Sequence, residues 1–350
     1  LALEPLPTVR PLSACSEAPP GLDVFAALRE SILGQDDAID TIAPYVELST
    51  AGLAPVGRPA GVFLLLGPTG TGKTRTVEAL AQALHGSDRH VLRIDCGEFQ
   101  LDHEVAKLIG APPGYLGHRE THPMLSQQKV NAVTSERSPL SLILFDEIEK
   151  AAPSFTRILL GVLDRATLKL GDNTSVSFEN SLIFLTSNLG ARGMMSELSG
   201  GFGFPDGQPQ ASGQWRSKLS RIALNEVRRR FSPEFVNRID EIVTYQPLGR
   251  KALEGILKLQ LALLRDHIRS RLGHRSFELE FSKRACRLLL DEGTSPEYGA
   301  RELKRAIHRL VMRPLARQLH RNAVPAGSTV HVDAGRRTGT LDIVAMERAA

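Results

Sequence analysis

Cysteine is almost absent from this chain. Its 350 residues hold three, Cys15, Cys96 and Cys286, far apart and without metal-ligand spacing. That excludes a disulfide-knitted scaffold and a zinc ribbon, and it fits a reducing cytoplasm. No apolar run approaches the ~20 residues of a membrane helix, and no secretory signal opens the sequence. A block of charge of one sign is missing too. The formal balance is +4, and the arginines are scattered along helical stretches as solvated faces rather than gathered for nucleic acid. The chain begins at Leu1 rather than Met, as a piece of a longer protein would.

What is present is an ordinary globular composition, 42% hydrophobic and 23% charged, in a chain long enough for two domains with cores of their own. Residues 1–21 are proline-rich and aperiodic, and read as a tail or linker. From 22 to 246 short apolar runs alternate with helical patterns. "GVFLLLG", "HVLRIDC", "SLILFDE" and "SLIFLTSN" have the length and continuous apolarity of strands covered on both faces. Val77, Leu80, Ala81 and Leu84 recur at helical spacing with Gly86 as the stop, as do Phe155, Ile158, Leu159, Val162 and Leu163. This alternation predicts an α/β domain with a parallel sheet between helices. After Pro247 helical segments dominate (about 250–272, 282–292 and 299–320), flanked by strand-like "FELEF" and "STVHVD". They predict a smaller, mainly helical domain over 247–336, with 337–350 as a tail. The glycine-rich stretch 196–214 reads as a surface loop.

The chemistry begins at "GPTGTGKT", Gly67, Pro68, Thr69, Gly70, Thr71, Gly72, Lys73 and Thr74. It follows an apolar strand and opens a helix, the setting a phosphate-binding loop requires. Glycines let backbone N–H groups converge on phosphate oxygens, the helix N-terminus adds positive potential, Lys73 reaches the outer phosphates and Thr74 holds Mg²⁺. Chance would produce the four fixed positions in about one chain of this length in a hundred. "SLILFDE" places Asp146 and Glu147 where a buried strand meets the ligand crevice. One carboxylate suits a hydrated Mg²⁺ and the next a general base. "SLIFLTSN" ends in Asn188, an amide able to orient water or touch a γ-phosphate, though strand-end asparagines are equally common in plain turns. Arg301, in the first turn of "YGARELKRAI", opposes the helix macrodipole, a conflict that a docked anion removes. Arg238 follows "SPEFVN", in which Ser232 and Pro233 read as N-cap and first helical residue. Glu234 stands four residues before it, so spacing alone favours a structural ion pair.

With "ILGQDDAI", "KLIGAPPGYLG", "LILFDEIEKA", "FLTSNLGA", "FSPEFVNRIDEIV" and "YGARELKRAI" added to the phosphate loop, the chain resembles the Clp family of AAA+ protein unfoldases over about residues 32–333, specifically their second ATPase module. The resemblance implies a P-loop AAA+ fold and a hexameric ring burning ATP with Mg²⁺ between subunits. It puts Ile32 and Leu33 in the adenine pocket and makes Asn188 and Arg301 the two phosphate sensors. Arg238 becomes an arginine finger reaching the neighbouring site, a role worth roughly 10³–10⁵ in rate. It also assigns Tyr115, held between Gly114 and Gly117 on "IGAPPGYLGHR", to a central channel, where a large amphipathic ring grips polypeptide with little sequence preference. The implied partners are further copies of the chain and an unfolded or tagged protein.

Some features depart from the family. The segment after Gly117, "HRETHPMLSQQKVNAVTSERSPLS", is longer than usual. Its "HRETH" has the order H-x-E-x-H with Pro123 following at once, which does not make a zinc helix. "GFGF" (Gly201–Phe204) only partly resembles a peptidase-docking tripeptide. Two other functions stay open on residues alone. One is an ATP-driven nucleic-acid motor, with Arg119 and Lys129 as the nearest cations and Tyr115 stacking on bases. The other is a nucleotide-gated scaffold that threads nothing.

Overall fold

The computed structural model describes residues 24–110, 123–199, 213–295, 299–335 and 339–346. The four apolar runs become strands of one sheet: β1 (Gly61–Leu66), β2 (Leu92–Asp95), β3 (Ser141–Asp146) and β6 (Ser181–Ser187). A short antiparallel hairpin, β4 (Thr167–Lys169) with β5 (Ser175–Ser177), precedes β6, and β7 (Glu241–Thr244) completes the sheet. The order is β2-β3-β6-β1-β7 with every pair parallel. Leu66 lies opposite Ser187, and Phe145 opposite Leu185. The loop after β1, the acidic end of β3 and the asparagine after β6 therefore leave the sheet at the same edge.

Alternation along each strand divides the core in two. Val62, Leu64 and Leu66 face a layer built from the helices Pro153–Arg165 and Gly213–Arg230. Phe63 and Leu65 face the helices Val24–Ser31, Asp36–Thr50 and Lys73–His85. Phe63 stacks on Phe184 with ring centroids 5.1 Å apart. The helix Lys73–His85 stops at Gly86, whose left-handed backbone closes the last turn on the Gln82 carbonyl.

The smaller unit has its own core, in which Leu257, Leu261, Leu289, Leu303 and Val330 are buried together. Helices Arg250–Leu272, Lys283–Gly293, Ala300–Ile307 and Arg313–His320 pack on a three-stranded sheet. In that sheet β8 (Glu278–Phe281) runs parallel to β9 (Thr329–Ala334), and β9 pairs antiparallel with β10 (Leu341–Met346).

Two expectations need correction. The stretch 337–350 is not simply a tail, since β10 completes the small sheet, buries Ile343 and receives a hydrogen bond from Gln318 Nε2 to the Ile343 carbonyl (2.8 Å). The loop expected at 196–214 is shorter at both ends: the helix Ala191–Ser199 runs into it and the next helix starts at Gly213. The N-terminal tail, Tyr115, "HRETH" and Gly201–Phe204 lie outside the described residues. Among the described residues no helix is long and apolar enough to cross a membrane.

The status of β10 is open to measurement. Ile343→Ala should lower stability by about 2–3 kcal/mol, as removal of a buried isoleucine does, seen as a lower urea midpoint for the small unit. A residue of a solvated tail would leave that midpoint unchanged.

Candidate active site

The phosphate loop is shaped by what stands behind it. At the end of β1 the chain turns at Gly67 with φ +145°, and a Cβ there would sit 2.7 Å from the Tyr245 carbonyl oxygen, so only glycine fits. Tyr245 is itself fixed. It is fully buried, its N–H donates to the Leu66 carbonyl (2.7 Å), and its hydroxyl donates to Thr76 Oγ1 (2.8 Å). Inside the loop the Thr71 hydroxyl donates to the Pro68 carbonyl (2.9 Å).

Lys73 opens the following helix and folds back under this loop, only 8% exposed. Its ammonium donates to the carbonyls of Gly67 (2.6 Å) and Pro68 (2.9 Å) and to Asn188 Oδ1 (3.0 Å). Burial pulls its pKa down to about 8, against the attraction of Glu149, Asp146 and Glu147 and with the help of the Arg301 charge. The direct partners of this buried ammonium are neutral oxygens, which leaves its charge able to attract an anion. A triphosphate supplies one, so the residues present fit ATP.

The acidic end of β3 is tied to β6. The Thr186 hydroxyl donates to Asp146 Oδ1 (2.5 Å) and accepts from the Glu147 N–H (3.0 Å). Asp146 also pairs with Arg93 on β2. Glu147 has φ +57°, a left-handed backbone that a non-glycine residue adopts at a cost. Its carboxylate meets Lys150 (2.5 Å) and accepts from Asn188 Nδ2 (3.4 Å). The Asn188 N–H donates to Glu149 Oε1 (3.1 Å). Arg230 clamps the turn after Glu147 by donating to the Glu149 carbonyl (2.7 and 3.0 Å) and the Ala151 carbonyl (3.0 Å).

These groups line a cavity of about 430 Å³ between the two units. Its apolar lining is Ile32 and Leu33 together with Leu248, Ile256, Leu259 and Leu263 of the small unit. Its polar lining includes Lys73, Thr74, Asp146, Glu147 and Asn188, and Arg301 from the small unit, whose charge acts on Lys73. The small unit touches the loop directly. Gly299 has φ +51°, a Cβ on it would lie 2.9 Å from the Gly70 carbonyl oxygen, and the Ala300 N–H donates to that oxygen (3.1 Å). Arg301 is the next residue. Thr74 and Asp146 offer the oxygen donors for a metal. Among the described residues no three His, Cys, Asp or Glu side chains cluster to hold one. That donor set suits Mg²⁺, which takes one or two protein oxygens and completes its shell with phosphate and water.

Arg238 is not among the lining residues. The helix Pro233–Val236, capped by Ser232 Oγ accepting from the Phe235 N–H (3.3 Å), ends before it. Its ion pair is with Asp164 (2.9 Å), so the i,i+4 pairing with Glu234 expected from spacing gives way to a partner on another helix. The sequence reading missed Gln35, Arg93, Glu149, Thr186 and Arg230. Thr186 carried a usable signal, two residues before Asn188 at the end of an apolar strand. The others become visible only once strand order and loop contacts are known.

Residues 58–242 match the family described as AAA domain (Cdc48 subfamily). The chain belongs to the AAA+ family. Residues 248–332 of this AAA+ module match the C-terminal, D2-small domain of ClpB protein, making it a ClpB- or Hsp104-like D2 module with its small domain. It is 37% identical over 327 residues to the chaperone protein ClpB of Bdellovibrio bacteriovorus, covering 93% of this chain and 35% of that protein. With ClpB of Meiothermus ruber the identity is 39% over 308 residues, covering 88% and 33%. The Hsp104:casein complex of S. cerevisiae in its extended conformation superposes with a TM-score of 0.78 at 29% identity, covering 95% of this chain and 53% of that one. The module thus spans about a third of the curated relatives' length and about half of the solved chain.

The Lys73 arrangement has a measurable cost. With its pKa lowered from 10.5 to about 8, the folded module binds fewer protons than the unfolded chain between those values, so stability rises with pH across that window. Lys73→Met should abolish nucleotide binding yet raise nucleotide-free stability at pH 7 by about 1–3 kcal/mol. That gain should shrink as pH climbs from 8 to 10.5. Urea unfolding across pH, beside a fluorescent-nucleotide titration, checks both; a gain independent of pH would assign it to something other than the ammonium.

Proposed function

We propose that this AAA+ module hydrolyses Mg²⁺-ATP within a hexameric ring of its own copies and uses the energy to unfold polypeptide and draw it through a central pore. The observation that carries the reading is the meeting of Lys73, Asp146, Glu147, Asn188 and Arg301 on one cavity between two units, with Arg238 paired elsewhere. Lys73 and the loop N–H groups bind the phosphates, and Ile32 and Leu33 receive the base. Thr74 and Asp146 would hold Mg²⁺, which neutralises charge on the outer phosphates. Glu147 takes a proton from the attacking water as the bond to the bridging oxygen breaks, and Asn188 orients that water. Arg301 senses the phosphate from the small unit, and Arg238 completes the neighbour's site. Polypeptide as the substrate is supported by the ClpB chaperones among its relatives and by the casein bound to Hsp104; Tyr115 is the proposed grip. A cytoplasmic setting agrees with the free thiols of Cys96 and Cys286. A peptidase partner at the 196–214 loop is not part of the proposal; Gly201–Phe204 lie outside the described residues.

Glu147→Gln should bind ATP, hold the ring together and hydrolyse at least about a hundredfold more slowly. Arg238→Ala should lose about 10³ in turnover, and mixing it with Glu147→Gln subunits should restore part of the loss, each protomer supplying what the other lacks. Absence of rescue in a mixed ring, with subunit exchange verified, removes the trans role of Arg238.

The substrate is tested by adding unfolded casein or single-stranded DNA to the wild type and to Tyr115→Ala. Stimulation by casein that disappears in Tyr115→Ala is expected. Stimulation by DNA alone makes it a nucleic-acid motor. ATP-dependent assembly without unfolding of a tagged fluorescent protein makes it a scaffold.

A further inference from the structure

Gln35 sits between the phosphate loop and the crossing from the large unit to the small one. It is 4% exposed, and its amide makes three hydrogen bonds, all to main chain. Nε2 donates to the Thr71 carbonyl (3.1 Å) and to the Gln246 carbonyl (2.8 Å), while Oε1 accepts from the Gln246 N–H (3.1 Å). Gln246 lies just past β7, and the chain beyond it lines the cavity at Leu248 before entering the helix Arg250–Leu272. The neighbouring residue Gly34, at φ +75°, packs under that helix, so a Cβ there would meet Ala252 Cβ at 2.9 Å.

The choice of the Thr71 carbonyl matters. It shares a trans peptide unit with the Gly72 N–H, and the two point in opposite directions. A hydrogen bond that holds the carbonyl toward Gln35 therefore sets the direction of the Gly72 N–H, at a residue lining the cavity. The preceding carbonyl, of Gly70, is held by the Ala300 N–H of the small unit. Successive peptide units of the phosphate loop are thus anchored one to the small unit and one to the junction. The amide is a rigid plane carrying both donors, so a tilt of the Thr71–Gly72 peptide cannot occur without shifting either the Gln246 bond or the amide as a whole.

We propose that Gln35 is a positioning residue that couples the phosphate loop to the angle between the two units. It touches no substrate. A phosphate drawing on the Gly72 N–H rotates that peptide, the amide follows, and Gln246 carries the displacement into the start of the small unit. The inference rests on the cavity being the nucleotide site.

The test places donor and acceptor dyes at Arg165 and Arg269, both exposed positions on separate units, and reads energy transfer with and without a slowly hydrolysed ATP analogue. Gln35→Glu keeps the shape and the acceptor but deletes both donors; Gln35→Met deletes the amide and keeps the bulk. Wild type should change transfer on binding. The variants should bind the analogue about tenfold more weakly, the loss of one or two hydrogen bonds, and at saturation show less than half the wild-type change. A full change at saturation in both variants overturns the inference and leaves the nucleotide reading intact. Wild type that binds no analogue overturns the nucleotide reading itself; binding without a change in transfer overturns only the coupling. Loss of the urea transition in both variants makes Gln35 a structural support, and that too overturns the inference.

Discussion

A buried ammonium, Lys73, which makes no ion pair among the described residues, is the constraint around which this site is organised. Lys73 leaves water to rest on carbonyls of its own loop and on Asn188, and burial outweighs the nearby carboxylates enough to lower its pKa to about 8. Such a group destabilises the fold that contains it. The loop above it must therefore be braced from outside, and the braces are identifiable. Tyr245 closes off Gly67 from behind, Gln35 holds the Thr71 carbonyl, and the small unit holds the Gly70 carbonyl.

Those braces explain why the site needs two units. Much of the cavity's apolar lining comes from Leu248, Ile256, Leu259 and Leu263, which belong to the unit carrying Arg301. Ligand bound there contacts both sides of the junction, and any differential contact between two arrangements of the units shifts their balance. The short approach of Gly299 to Gly70 makes this contact steric as well as polar. Side chains larger than glycine would hold the units apart at that point.

Much of this was legible because buried strands advertise themselves. Three of the four apolar runs, on β1, β3 and β6, are buried along nearly their whole length, whereas β2 lies at the sheet edge and buries only Ile94, so its expected cover on both faces is not found. The residues at or just after the ends of the buried three, Gly67–Thr74, Asp146–Glu147 and Asn188, fall together since parallel strands all point the same way. β7 was hidden by its charged start, Glu241, and by its brevity. β10 was hidden by "LDIVAM", whose alternation is broken and which follows a run of Arg, Gly and Thr. The Glu234–Arg238 pairing failed for a local reason. Ion-pair spacing presumes a helix spanning both residues, and this one closes at Val236. Gln35 could not be read at all, because its partners are main-chain atoms at Thr71 and Gln246, brought together only by the tertiary fold.

Arg238 shows how far a single protomer can account for its own residues. The pair it makes with Asp164 has about a third of each side chain exposed, a setting in which an ion pair contributes under about 1 kcal/mol. An arginine reaching a transferring phosphoryl group is worth roughly 10³–10⁵ in rate, equivalent to about 4–7 kcal/mol of barrier. The two figures differ severalfold, so under the proposed role stability and turnover would respond to this residue on separable scales. With its own cavity lined by other residues, the proposed role of Arg238 requires it to act through a second copy of the chain.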